Sequence, residues 1–246
     1  MLRIPFASFF ALIALTAAAQ DTPPALKMGD RDSFTQMMAQ NADQPAPLLG
    51  RVEVNTYIAP TGTFKIEIPI SPLLGGNITD TENIVIFDDT YLTHVTIANY
   101  PLNPTEAWNL STSSPKEYLL GFFGKQILRN YREAFKNVQI RVDPQARFLP
   151  TMYGGAFIAY LTIPGGSFFS SRVPRLVADA KPREAKYGVM LFVQKGYIFI
   201  ISEEFAEHAT EGSANHLSNE QEDTILRGRL LDLASKMEFT QPPKSE

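Results

Sequence analysis

Six residues in one stretch have the chemistry of a cation site: Glu203, Glu204, Glu207, His208, Glu211 and His216. Carboxylate oxygens suit calcium, and the imidazoles would also admit zinc. Their spacing matches no established ligand loop. A metal-dependent enzyme or cation-binding protein built on this stretch is therefore the alternative reading of the chain. The remaining histidine, His94, stands in Leu92-Thr93-His94-Val95 with no partner motif around it, and reads as a half-exposed structural side chain. Asp88-Asp89 could be a carboxylate pair, but neighbours on a strand point to opposite faces and in a turn face water, so both are read as turn residues. Gly165-Gly166-Ser167-Phe168-Phe169 lacks the final glycine of a nucleophile elbow, and there is no phosphate-binding glycine loop and no H-E-x-x-H. Catalysis has little support in these residues, and no cofactor is expected.

Charge placement is more informative. Between Gly165 and Lys186, the bases Arg172, Arg175, Lys181, Arg183 and Lys186 stand against Asp179 and Glu184. Between Glu203 and Asp223 there are seven acids and no Lys or Arg. A hairpin over 187–201 would bring the two segments to one end of a sheet. If they only neutralise each other in water, each exposed pair contributes about 0–1 kcal/mol. A loop as long as 164–186 is often functional, which favours a docking edge. Phe168 and Phe169 would then be an exposed apolar contact flanked by Arg172 and Arg175, suited to an envelope protein, an anionic lipid surface or an acidic polymer. Replacing these four residues is expected to weaken binding without loss of stability.

The elements that would position these residues follow from pattern. Val52–Ile58 and Thr63–Ile68 alternate as half-buried strands around Pro60-Thr61-Gly62. Asn83–Phe87 and Tyr91–Ala98 form a second pair. Asn103-Pro104-Thr105-Glu106 and Ser114-Pro115-Lys116-Glu117 are helix starts, each a cap, a first-turn proline and an acid. The second helix runs to about Lys136 with a wide apolar face from Tyr118 to Phe135. Gly121 and Gly124 inside it suggest close approach to a sheet. Val138–Val142, Arg147–Leu149 and Gly155–Ile163 read as strands. Tyr187–Ile201 is two apolar runs joined by Gln194-Lys195-Gly196, the signature of strands covered on both faces. A last helix spans about Asn219 to Met237. The order implies an α+β fold with a mainly antiparallel sheet and helices on both faces. The hairpins near 52–68 and 83–98 are expected to add a smaller layer.

The chain has 246 residues, no cysteine, and 22 basic against 26 acidic side chains. A disulfide framework and thiolate chemistry are excluded, and the net charge of −4 argues against a nucleic-acid binder. Met1-Leu2-Arg3, an apolar stretch from Ile4 to Leu15 and Thr16-Ala17-Ala18-Ala19 read as a secretory signal peptide over 1–19. The apolar stretch is shorter than the roughly 20 residues that span a bilayer, and no later stretch is long enough, so the mature chain has no transmembrane segment. Periplasmic or fully secreted location follows. Residues 20–50 read as a flexible arm, 51–240 as one domain and 241–246 as a disordered tail.

The strand Phe64-Lys65-Ile66-Glu67-Ile68-Pro69, the helix from Pro115, the hairpin Val189–Ile201 and the closing helix into Met237-Glu238-Phe239 together resemble the PsbP-like superfamily. That group contains extrinsic proteins of photosystem II, a Ran-binding import factor and periplasmic proteins of the DcrB type. The resemblance is one of fold. It implies an α/β/α sandwich around an antiparallel sheet and a binding or assembly factor without catalysis. No binding motif carries over residue by residue.

Overall fold

The computed structural model describes residues 47–89, 92–135, 138–143, 145–171, 184–207 and 217–240. Six strands come first: β1 (Arg51–Glu53), β2 (Thr56–Ile58), β3 (Phe64–Glu67), β4 (Asn77–Asp80), β5 (Ile84–Asp88) and β6 (His94–Pro101). Helices α1 (Pro104–Thr112), α2 (Pro115–Phe122) and α3 (Leu128–Ala134) follow, the last two joined by a π turn over Phe123–Ile127. Then come β7 (Arg141–Val142), β8 (Arg147–Leu149), β9 (Ala156–Ile163), β10 (Ala185–Gln194), β11 (Tyr197–Glu204), α4 (Asn219–Ser235) and β12 (Met237–Phe239). The helix starts are set by side chains. Asn103 with Glu106, Ser114 with Glu117 and Ser218 with Gln221 each form a reciprocal capping box that satisfies backbone amides lacking a helical partner.

Every strand pair among the described residues is antiparallel. The larger sheet runs β4-β5-β6-β11-β10-β9-β7, with β8 also on β9; the smaller runs β1-β2-β3-β12. The expected small layer therefore holds only the first hairpin. The second, β5–β6, extends the large sheet, and the chain's last strand completes the small one beside β3. The β10–β11 hairpin closes on Lys195 and Gly196, both at positive φ (52° and 80°), the turn whose twist matches paired strands.

Two apolar cores lie on opposite faces of the large sheet. On one, Met190, Phe192, Phe199 and Ile201 pack with Tyr57, Phe64 and Ile66 of the small sheet and Leu226, Leu230 and Leu233 of α4. On the other, Val189, Leu191, Ile198 and Ile200 pack under Leu119, Phe122, Phe123 and Ile127. Period-two alternation along β10 and β11 sorts these residues. The α+β architecture with helices on both faces is as the pattern predicts.

The middle helix is not held close by its glycines. A Cβ placed on Gly121 or Gly124 would meet nothing within 4 Å. Close approach occurs on the other face, where a Cβ on Gly188 would lie 2.9 Å from Leu230 Cδ1 and 3.3 Å from Leu226 Cβ. Gly121→Ala should therefore stabilise the chain by about 1 kcal/mol, the helix-propensity difference. Gly188→Ala should destabilise it by about 1–3 kcal/mol through overpacking. Urea unfolding midpoints measure both, and a Gly188→Ala chain as stable as the parent would remove the close-packing account.

Candidate functional site

The end of the large sheet reached by β10 and β11 collects polar side chains that the core would exclude. Adjacent residues on β11 take opposite faces, so Glu203 and Glu204 cannot share a ligand. Glu204 faces the α2–α3 side and is fully buried. Its Oε2 accepts the Phe168 backbone N–H and lies 2.9 Å from the Tyr187 hydroxyl, with both contacts at 2.9 Å. The Tyr187 hydroxyl is also 3.1 Å from the Gly166 carbonyl. Burial first, then the Glu204 charge, push the Tyr187 phenol well above its ordinary range. Deeper on the same face, Tyr131 and Ser202 hydroxyls are 3.2 Å apart.

His94 is not half-exposed: 6% of its surface is accessible, and its ring stacks on Phe168 at 3.9 Å with planes 15° apart. It begins β6 opposite Asp88. Asp88 and Asp89 are buried too, and do not face water. Asp89 does perform turn chemistry, since its Oδ1 accepts the amides of Leu92 (2.7 Å) and Thr93 (2.9 Å). Phe169, expected as an exposed contact, has no accessible surface and packs with Ala206, Leu92 and Phe168. A short 3-10 turn over Phe168–Ser171 turns its ring inward while Glu204 holds the preceding amide. Arg172 and Arg175 lie outside the described residues.

On the other face Lys186 is 2% exposed. Its Nζ lies 3.0 Å from Glu222 Oε2, 2.7 Å from Asp223 Oδ1 and 3.0 Å from the Asn219 carbonyl, all in the first turn of α4. Arg229, one helix face further on, bonds Glu207, stands 3.7 Å from Glu203 and lies 5.5 Å over the Phe205 ring. Burial pushes the Glu203 carboxyl up to about 7; Arg229 pulls against that shift, and Glu207 and Asp232 add to it. Burial also raises Asp223, opposed by Lys186.

Two sequence expectations change here. Most described acids of the segment are not on the surface: Glu203, Glu204, Glu222 and Asp223 are buried and Glu207 is bonded to Arg229, while Glu220 is exposed. A charge count along the chain cannot see that a strand and a helix start turn their acids inward. The six-residue cation set is also not assembled by its described members. Glu203 and Glu204 diverge, Glu207 serves Arg229, and His208, Glu211 and His216 lie outside the described residues. Among the described residues no group of three or more His, Asp or Glu is placed to hold a metal ion, and no helix is long and apolar enough to cross a membrane.

What the sequence reading missed is that both roots of the 164–186 connection are pinned. Phe168 and Phe169 are fixed on one face through Glu204 and His94, and Lys186 is clamped on the other by α4. Glu184, just before β10, pairs with Arg141. Only the lysine directly before Tyr187 in the alternating run hinted at this, since alternation places it on a covered face.

No family model and no curated protein matches the chain. Among solved structures it is similar to the cyanobacterial PsbP (CyanoP) of Synechocystis sp. PCC 6803, at 12% identity and TM-score 0.44, covering 80% of this chain and 99% of that one. It is also similar to the Saccharomyces cerevisiae Ran-binding protein Mog1p, at 11% identity and TM-score 0.45, covering 79% and 97%. Both are types named in the sequence resemblance, and the likeness is one of fold.

Three measurements follow from this geometry. Phe169→Ser should cost about 3–5 kcal/mol of stability, as truncation of a buried aromatic ring does, in place of the surface-neutral effect expected from sequence. Lys186→Met should cost about 3–5 kcal/mol near neutral pH because it removes a buried cation from beside two buried acids. Glu203 binds its proton more tightly folded than unfolded, so its contribution to stability is lost as pH rises from its ordinary value of 4.5 to about 7. Glu203→Gln should remove that decline, on the order of 3 kcal/mol. Urea midpoints from pH 4.5 to 8 would show it, and an unchanged slope would refute the assignment.

Proposed function

We propose that the chain is an exported, non-catalytic binding or assembly module of the cell envelope, and that it meets a protein partner through the 164–186 connection. The observation that carries this reading is the double anchorage of that connection, by Phe168 and Phe169 at one root and Lys186 at the other. Among the described residues, buried hydrogen bonds and ion pairs fix both roots. Residues 172–183 hold four bases, Arg172, Arg175, Lys181 and Arg183, against the single acid Asp179. Fixed roots lower the entropy that a partner must remove on binding, which favours a recognition loop. The half-buried Phe168 ring borders the same root and supplies an apolar edge. Export is supported by the charged start, apolar stretch and small residues of 1–19.

Crosslinking in intact cells, followed by pull-down, tests the contact. The double variant Arg172→Glu/Arg175→Glu should lose the partner captured by the parent chain while keeping the parent's melting temperature. Capture of the same partner by both chains would refute the loop as the contact. Cell fractionation with N-terminal sequencing tests export. The expected mature start is near Gln20, and a cytoplasmic chain retaining Met1 would refute the envelope assignment.

A further inference from the structure

Among the described residues, the small sheet ends in an open edge. Strand β1 pairs with β2 on one side, and among the described residues no strand pairs with its other side. All three of its residues are exposed. The loop from β1 to β2 has two residues, Val54 and Asn55, so Glu53 and Thr56 flank the turn. In such a turn the first carbonyl accepts the fourth amide, which makes Glu53–Thr56 a hydrogen-bonded pair. Pairs in an antiparallel ladder alternate between bonded and non-bonded. Arg51 and Glu53 therefore direct their backbone groups to β2, and Val52 directs its N–H and C=O to the open side.

We infer that this edge is a self-association surface, on which β1 of a second copy of the chain pairs antiparallel across a twofold axis through Val52. In that register the two Val52 residues exchange both backbone hydrogen bonds. Arg51 of each copy stands opposite Glu53 of the other in non-bonded pairs, where side chains approach most closely. Arg51 and Glu53 already share a sheet face, with Nε and Oε1 2.7 Å apart, so the axis brings together a ring of four alternating charges. Val52 is 43% exposed and lies on the same face as its buried cross-strand neighbour Tyr57, so pairing covers apolar surface at the axis. Short, charged edges normally block edge-to-edge contact. Here the charges have opposite sign at positions related by the twofold, so they oppose other strands and admit this one. The contact is isologous and closes at the dimer, joining two four-stranded sheets into one of eight.

Sedimentation of the mature chain tests the inference. A three-residue edge predicts a weak, reversible dimer with a dissociation constant of about 100 µM. Arg51→Glu places two acids on the edge and Glu53→Arg two bases, and both side chains are exposed, so each variant should keep the parent's melting temperature. Each alone should self-associate at least about tenfold more weakly than the parent. An equimolar mixture of the two should recover dimer, because unlike charges then face across the axis. A monomer at every concentration up to about 1 mM would overturn the inference. So would a dimer indifferent to either reversal, or a mixture that associates no better than its components.

Discussion

The β10–β11 hairpin is apolar on both faces, and that double burial dictates the rest of the architecture. A strand with one wet face needs one covering layer; these two need two. The chain supplies α4 and the small sheet on one side and the α1–α3 region on the other. The layer on the first side is built from opposite ends of the described chain, β1–β3 and α4, and β12 joins them by returning to pair with β3. Without that return, the face carrying Phe192 and Phe199 would be open beside α4. Phe239 closes it, with its ring 5.6 Å from Phe192 and 4.9 Å from Phe199.

The same alternation that builds the cores creates a problem at the hairpin's open end. There β10 and β11 carry Lys186, Tyr187, Glu203 and Glu204, and two-sided burial extends to all four. Polar groups away from water need partners, and charges need opposite charges. Each face solves this with what covers it. The α4 face offers a helix start with two acids and, two turns on, an arginine. The opposite face offers backbone: the Phe168 amide and the Gly166 carbonyl. The long connection is thereby held at its roots by the needs of the strands. The geometry of those roots is a consequence of polar satisfaction before it is anything else.

Element type was legible in the sequence wherever period decided it. The strand Phe64–Glu67, both proline-led capping boxes and the paired apolar runs stand where pattern places them, but Val52–Ile58, which reads as one alternating strand, is split by a turn at Val54-Asn55 into β1 and β2. Sheet membership was not legible, because Phe64–Glu67 reads the same beside β12 as beside β5. Glycine in the middle helix was misread for a related reason. A Gly signals a missing side chain, but the neighbour that would need the space is set by tertiary packing, and it lies over Gly188 instead. The candidate site was legible in position and misread in state. The two charged segments do meet, through Lys186 with Glu222 and Asp223, yet as a buried cluster and not as facing surfaces. Glu203-Glu204 could have been separated by the same opposite-face argument that separates Asp88 from Asp89.

The distinction between root and tip decides which charges can serve a partner. A charge bonded inside the fold costs stability when removed and offers nothing to a second molecule. Five of the acids between Glu203 and Asp223 fall in this class, as does Lys186. Subtracting them from the sequence count leaves two acids, Glu211 and Glu220, beside the basic excess of residues 172–183. In the proposed docking role, the basic excess of residues 172–183 favours an acidic surface on the partner, with long-range attraction aiding encounter. Salt should therefore weaken that association more than any contact within the fold, since Debye screening acts on exposed charges and little on buried ones.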